Sequence, residues 1–192
     1  MMWNRRRVLQ AGGALAGAAA GLFVGRAYSQ EAAAGSQSPE IAVEAKRIGL
    51  LNLHTDERLE IEFFRDGAYL PHALSAIEVV LRDFRTGEQH AIDPGLMSHL
   101  VDVAHTLGVD PVFSVISGYR SPHTNALLHE RSAGVAKHSL HMEGRAIDVR
   151  ITGVDCARLA AHALGLQRGG VGYYRASDFV HLDTGAFRTW KG

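Results

Sequence analysis

His141-Met-Glu-Gly-Arg-Ala-Ile-Asp148-Val-Arg-Ile151 is the stretch on which the fold turns. Ala146 to Ile151 alternates apolar and polar residues with the period of a half-buried strand, which puts Asp148 and Arg150 on one face. His141 and Asp148 are seven residues apart, a separation of about 10 Å along a helix and more along a strand, so neither element alone brings both side chains to one point. The chain must turn between them, and Gly144 permits the turn. Phe179-Val-His181-Leu-Asp183 alternates in the same way and places His181 and Asp183 together on one face of a second strand. Two imidazoles and a carboxylate, with no thiolate competitor, are the donor set of an open zinc site, in which three protein ligands leave a fourth position where water is acidified.

Working outward, Ile48 to Phe64 alternates on both sides of Thr55-Asp56-Glu57 and predicts a β-hairpin. Pro71 leads into a helix whose stripe is Leu74, Ile77, Leu81 and Phe84, closing at Gly87. Asp93-Pro94 supplies the cap and first turn of a second helix with Leu96, Leu100, Val103 and Leu107 inward, ending at Gly108. Val112 to Ile116 reads as a short buried strand delivering the polar turn Ser117 to Pro122. A short helix over Asn125 to Arg131 and a loop over Gly134 to Gly144 follow. A third main helix runs from the cap Asp155 to Leu164 and stops at Gly165, before strands at Gly169–Tyr174 and Phe179–Asp183. The expected class is α+β, a small, mainly antiparallel sheet with helices packed on one side.

The chain has 192 residues, and its beginning sets a compartment. Asn4-Arg5-Arg6-Arg7 runs into an Ala/Gly-rich apolar stretch from Ala11 to Val24, the pattern of a Tat export signal over residues 1–29. That stretch is shorter than the roughly 20 residues a spanning helix needs, so no stable membrane insertion is expected once the signal is removed. Residues 30–46, rich in Ala, Ser, Gln and Glu, read as a flexible linker, and 47–192 as one domain. The whole chain is formally neutral, and losing Arg5, Arg6, Arg7 and Arg26 leaves a net charge near −4. Nothing in that balance suits nucleic acid. A single cysteine, Cys156, excludes an internal disulfide. A periplasmic, metal-bearing protein fits these features.

Taken singly, a histidine or a strand aspartate is more often a surface group or a hydrogen-bonding residue than a ligand. The other histidines, His99 among them, keep that ordinary reading. The odds change with four runs in order: Ser117-Gly-Tyr-Arg-Ser-Pro-His-Thr-Asn125, His138-Ser-Leu-His141 through Asp148, Gly169-Gly-Val-Gly-Tyr-Tyr174, and Phe179-Val-His-Leu-Asp-Thr-Gly185 with Arg188-Thr-Trp190. Together they resemble the YcbK/MepK-type murein endopeptidases, within the wider group of zinc D-alanyl-D-alanine peptidases. The similarity spans about Ile48 to Trp190.

The resemblance implies that His141, Asp148 and His181 bind Zn2+ and that Arg120 binds substrate and steadies the developing oxyanion. It implies peptidoglycan stem peptides and cross-links as substrate, cut at meso-diaminopimelate in either the 3-3 or the 4-3 cross-link. Two alternatives stand beside it, a D,D- or L,D-carboxypeptidase trimming stem peptides and a metal-containing module that binds the wall without turnover. The general base is open. Where many relatives have Glu three residues before the last ligand, or His two before it, this chain has Asp178 and Phe179. Asp178 is an odd step from His181 and points to the opposite face of a regular strand, whereas Asp183 is on the same face. Asp183 is thus expected as base or as a partner orienting His181, with Asp178 and His138 as the other candidates.

Overall fold

The computed structural model describes residues 44–132 and 134–192. The expected export signal and all but the last residues of the expected linker lie outside the described residues. Eight strands form one sheet: β1 (Ala45–Asn52), β2 (Arg58–Arg65), β3 (Ala68–Tyr69), β4 (Val112–Ser117), β5 (Ala146–Arg150), β6 (Gly170–Tyr174), β7 (Phe179–Asp183) and β8 (Arg188–Lys191). Their order across the sheet is β3-β2-β1-β4-β5-β7-β6-β8. Neighbours pair antiparallel except β1 with β4 and β6 with β8, so the expected mainly antiparallel α+β class holds. The helices are α1 (Pro71–Val80), α2 (Pro94–Leu107), α3 (Pro122–Arg131) and α4 (Cys156–Gly165). Among the described residues, no helix is long and apolar enough to cross a membrane.

Strand alternation divides the sheet into two faces of different chemistry. Ile48 and Leu50 of β1, Phe113 and Val115 of β4, Ile147 and Val149 of β5, Val171 of β6, and Val180 and Leu182 of β7 are all at most 2 % exposed. They form one apolar cluster with Ile77 of α1, Leu96 and Leu100 of α2 and Leu159 of α4, and burial of this surface drives the packing. α1 packs on β2, α2 on β1, and α4 on β6 and β7. The intervening residues Asp148, His181, Asp183 and Gly172 necessarily project from the opposite face. Register confirms it, because Asp148 pairs with His181, and His181 with Gly172.

Several local expectations need correction. The hairpin forms, but β1 begins at Ala45, inside the stretch read as linker and three residues before the expected hairpin start. The first helix ends at Val80 rather than near Gly87, and its buried positions are Ala73, Ile77 and Val80 rather than Leu74. Asp83 is the reason. Its carboxylate accepts Arg85 N at 3.0 Å in a local turn and reaches across to the Ser121 backbone and hydroxyl at 2.9 and 2.8 Å, which a further helical turn would prevent. α3 begins at Pro122 instead of Asn125, because the Ser121 hydroxyl caps it by accepting Thr124 N. The segment read as loop up to Gly144 contains a 3-10 turn, Leu140–Glu143, and β8 has no counterpart in the sequence reading. α2 keeps its expected Asp93 cap and left-handed Gly108.

His99 on α2 is 3 % exposed, and neither ring nitrogen has a partner among the described residues. Burial, assisted by Arg168 and partly offset by Asp102 and Asp183, lowers its pKa from the ordinary 6.5 to about 4. The fold accepts the neutral ring, so this contribution to stability is complete above pH 6.5 and is lost as pH falls toward 4. In urea unfolding of the metal-free protein between pH 7 and pH 4, His99→Leu should lose roughly 2 to 3 kcal/mol less stability than the wild type. Parallel losses in the two proteins would show that His99 does not titrate with folding.

Candidate metal centre and cleft

Each member of the expected ligand trio comes from a different element, and each is placed by a backbone feature. Gly144 takes φ 65° and ends the 3-10 turn, and a Cβ there would sit 2.0 Å from the Ala91 carbonyl oxygen. That turn brings His141 back over β5, as the seven-residue spacing requires. Asp148 sits mid-strand on β5, directly opposite His181 on β7. The β4 ladder is irregular between Val115 and Ser117, so that Ser117 rather than Ile116 lies opposite Asp148. The hydroxyl thus delivered accepts Arg120 Nε–H at 2.9 Å.

The three ligand groups converge tightly and are buried. His141 Nε2 lies 3.2 Å from both Asp148 Oδ1 and His181 Nδ1, and His181 Nδ1 lies 2.8 Å from Asp148 Oδ1. Their other edges decide where the ring protons reside. The Gly118 carbonyl can only accept, so His141 Nδ1 donates to it at 2.7 Å. Asp183 is held ionised, so His181 Nε2 donates to its Oδ2 at 3.0 Å. Both protons therefore sit on the outer nitrogens, and two imidazole lone pairs meet a carboxylate oxygen at the centre. A cation resolves that repulsion, and a nitrogen, nitrogen and oxygen donor set fits a divalent transition metal.

Titration follows the same geometry. Burial lowers the His141 pKa, keeping the ring neutral. Asp148 is pulled well below the usual carboxylate range, because the two histidines outweigh the burial that opposes ionisation. Without a cation at the centre, Asp148 and Asp183 overcome burial and raise the His181 pKa, so a proton on its inner nitrogen relieves the same repulsion that a metal ion would. Asp183 is lowered against burial by His181, Arg188 and the amides of Gly185 and Gly170.

The three candidates for acid and base lie in different surroundings. Asp183 is fully buried behind the His181 ring. Its Oδ1 accepts from Gly170 N, Gly185 N and Arg188, and its Oδ2 from His181 and Arg188. The carboxylate is thereby placed to orient the His181 ring, and Asp183 is not among the residues lining the cleft. Asp178, at φ 51° on the turn before β7, accepts a hydrogen bond from Arg150 at 3.0 Å and is not among the residues lining the cleft. His138 is exposed and lines the cleft. Arg120 donates through Nη2 to Asp148 Oδ2 at 2.6 Å and to His141 Nε2 at 3.2 Å, which places its guanidinium at the edge of the trio.

A cleft of about 500 Å³ opens over these groups. One wall is Ser132 with the segment from Gly134 to Leu140, tied to α3 where Asn125 Nδ2 donates to the Ala136 and Lys137 carbonyls at 3.1 and 3.3 Å. The other is aromatic, with Tyr174 stacked on Phe179 and Trp190 Nε1–H bonded to the Tyr174 hydroxyl at 2.9 Å. The Trp190 indole lies across Gly172, where any Cβ would approach it to 2.5 Å, and beside His181 at 5.2 Å between ring centroids. The sequence reading assigned no role to Arg188, Trp190 or Asn125. All three stand in the runs that carry the family resemblance, which was the available signal.

Known proteins bear on the same residues. The sequence model of the family described as peptidoglycan L,D-endopeptidase MepK matches residues 40–190. The chain is 40% identical over 187 residues to the peptidoglycan L,D-endopeptidase MepK of Escherichia coli K12, covering 97% of each protein. It is 44% identical over 142 residues to the probable peptidoglycan L,D-endopeptidase MepK of Haemophilus influenzae Rd, covering 73% of this chain and 76% of that one. No solved structure matches the chain.

If Asp183 aligns His181, the near-isosteric Asp183→Asn should weaken metal binding roughly 10- to 100-fold in competition with a chromophoric chelator at pH 7. Unchanged affinity would remove Asp183 from the support of the metal.

Proposed function

Because the chain belongs to the peptidoglycan L,D-endopeptidase MepK family, we propose that it is a zinc-dependent murein endopeptidase that hydrolyses peptide cross-links at meso-diaminopimelate during wall growth or remodelling. The observation that carries this reading is the convergence of His141 Nε2, His181 Nδ1 and Asp148 Oδ1, with both ring protons turned outward, on the floor of an open cleft. The L,D designation of the relatives favours the 3-3 cross-link, in which the carbonyl of an L-centre is joined to the amine on a D-centre. A wall substrate calls for an exported protein, and Asn4-Arg5-Arg6-Arg7 supports the Tat route into the periplasm.

His141, Asp148 and His181 would hold the ion, and two nitrogens with one oxygen suit zinc. When bound, it supplies Lewis acidity, polarising a carbonyl and bringing the pKa of a water toward about 7. The other steps belong to the chain. Gly118 and Asp183 keep the two imidazoles in the tautomers that face the centre. Arg120, braced by Ser117, is placed to stabilise negative charge developing on the scissile carbonyl oxygen. His138 is the group we assign to carry a proton to the leaving amine, since Asp183 is sealed and Asp178 is paired with Arg150. Trp190, flat across Gly172, screens His181 from water on the β8 side.

Purified zinc-loaded protein incubated with isolated peptidoglycan should convert 3-3 cross-linked dimers into monomers, separated and weighed as muropeptides, and His141→Ala should not. Shortened stem peptides with dimers untouched would replace the endopeptidase by a carboxypeptidase. Wall binding without any product would identify a non-catalytic module. In the same assay, His138→Gln should retain zinc and lower kcat by roughly 10²- to 10⁴-fold while changing the pH profile. A profile identical to the wild type in shape and height would return the proton-transfer role to another group.

A further inference from the structure

Arg188 is a cation fixed in place before any ligand arrives. Its Nη atoms donate to both oxygens of Asp183, at 3.0 and 2.6 Å, and to the Ala186 carbonyl at 3.1 Å. Its guanidinium lies over the Trp190 ring, 5.1 Å from the centroid. These contacts hold one side of the group, yet 46% of the side chain remains exposed and it lines the cleft. A flexible arginine pinned in this way gives up little conformational entropy on meeting a ligand.

The sign of the cleft points to the kind of ligand. Among the described residues lining it, Asp148 is the one carboxylate, and it belongs to the metal centre. Asp183 is sealed beneath the surface. Arg120 and Arg188 offset these two acids, so a bound divalent ion leaves the cleft net cationic. Arg120 is occupied by Ser117 and Asp148 beside the ligand trio, whereas Arg188 stands behind His181 on the β8 side.

The next step rests on the murein reading. In a cross-link to meso-diaminopimelate, the carbon that bears the scissile nitrogen also bears a free carboxylate. That anion travels with the leaving side of the bond and needs a donor on one flank of the metal. We propose that Arg188 binds this carboxylate and so determines specificity for a residue that is acidic on the amine side of the scissile bond. Asp183 occupies the Nη1–Nη2 edge of the guanidinium, so the Nε–Nη2 edge is the one offered to the ligand, and its paired N–H donors match a carboxylate and only weakly a neutral carboxamide.

The test uses two synthetic cross-linked dimers that differ only at this position, one with the free carboxylate and one with its amide, cleaved by zinc-loaded wild type, Arg188→Gln and Arg188→Lys of verified zinc content. The wild type should favour the free acid by about tenfold or more in kcat/KM, mainly through KM. Arg188→Gln should bring that ratio close to one, and Arg188→Lys, which keeps the charge without the fork, should retain part of it. A role confined to holding Asp183 would depress both substrates equally, so an unchanged ratio in Arg188→Gln overturns the proposal, as does a wild type indifferent to amidation. A wild type that cleaves neither dimer would count against the endopeptidase reading instead, and calorimetric affinities of wild type and Arg188→Gln for the two dimers would then decide the carboxylate site separately.

Discussion

Two imidazole nitrogens and a carboxylate oxygen held 2.8 to 3.2 Å apart repel one another unless positive charge stands among them. Much of the surrounding structure follows from sustaining that arrangement inside a folded protein. The ring protons are drawn outward, to the Gly118 carbonyl on one side and to Asp183 on the other. Asp183 in turn is held as a buried anion because His181, Arg188 and two backbone amides meet its oxygens. The chain of contacts thus runs from the centre through His181 and Asp183 to a cation on the cleft wall.

The sheet makes this affordable by separating two kinds of chemistry across its thickness. One face carries the apolar residues of β1, β4, β5, β6 and β7 and is covered by α1, α2 and α4. The opposite face carries the polar centre, and the strand period of two assigns each side chain to one or the other. Two departures from regular backbone geometry, the irregularity in β4 and the left-handed Gly144, each bring a residue to the centre: Ser117 under Arg120, and His141 over Asp148.

The cleft joins the centre to the substrate class. Small residues tied to α3 face an aromatic wall built on β6, β7 and β8. Two arginines flank the trio on different sides, one at Asp148 and one behind His181. Such a cleft admits a peptide segment with negative charge close to the bond being cut, which is the composition of a wall cross-link.

The donor set was legible in the sequence because strand alternation and a seven-residue spacing are local properties. His181 with Asp183, Asp148 with its strand, and the need for a turn at Gly144 could all be read without knowing what lay nearby, and the motifs in order carried the family. The hairpin and the capped α2 were legible for the same reason. The end of α1 was not, because Asp83 is drawn to Ser121, 38 residues away. Nor was β8, four residues long and paired in parallel with β6, nor the choice between the roles open to Asp183, which depends on Arg188 and on the amides of Gly170 and Gly185. The sequence by itself determined which groups could bind a metal and which faces of the strands they occupy. Only the tertiary structure decided which of them face the cleft and which are sealed behind it, because hydrogen bonds and burial between distant segments set the direction of each side chain.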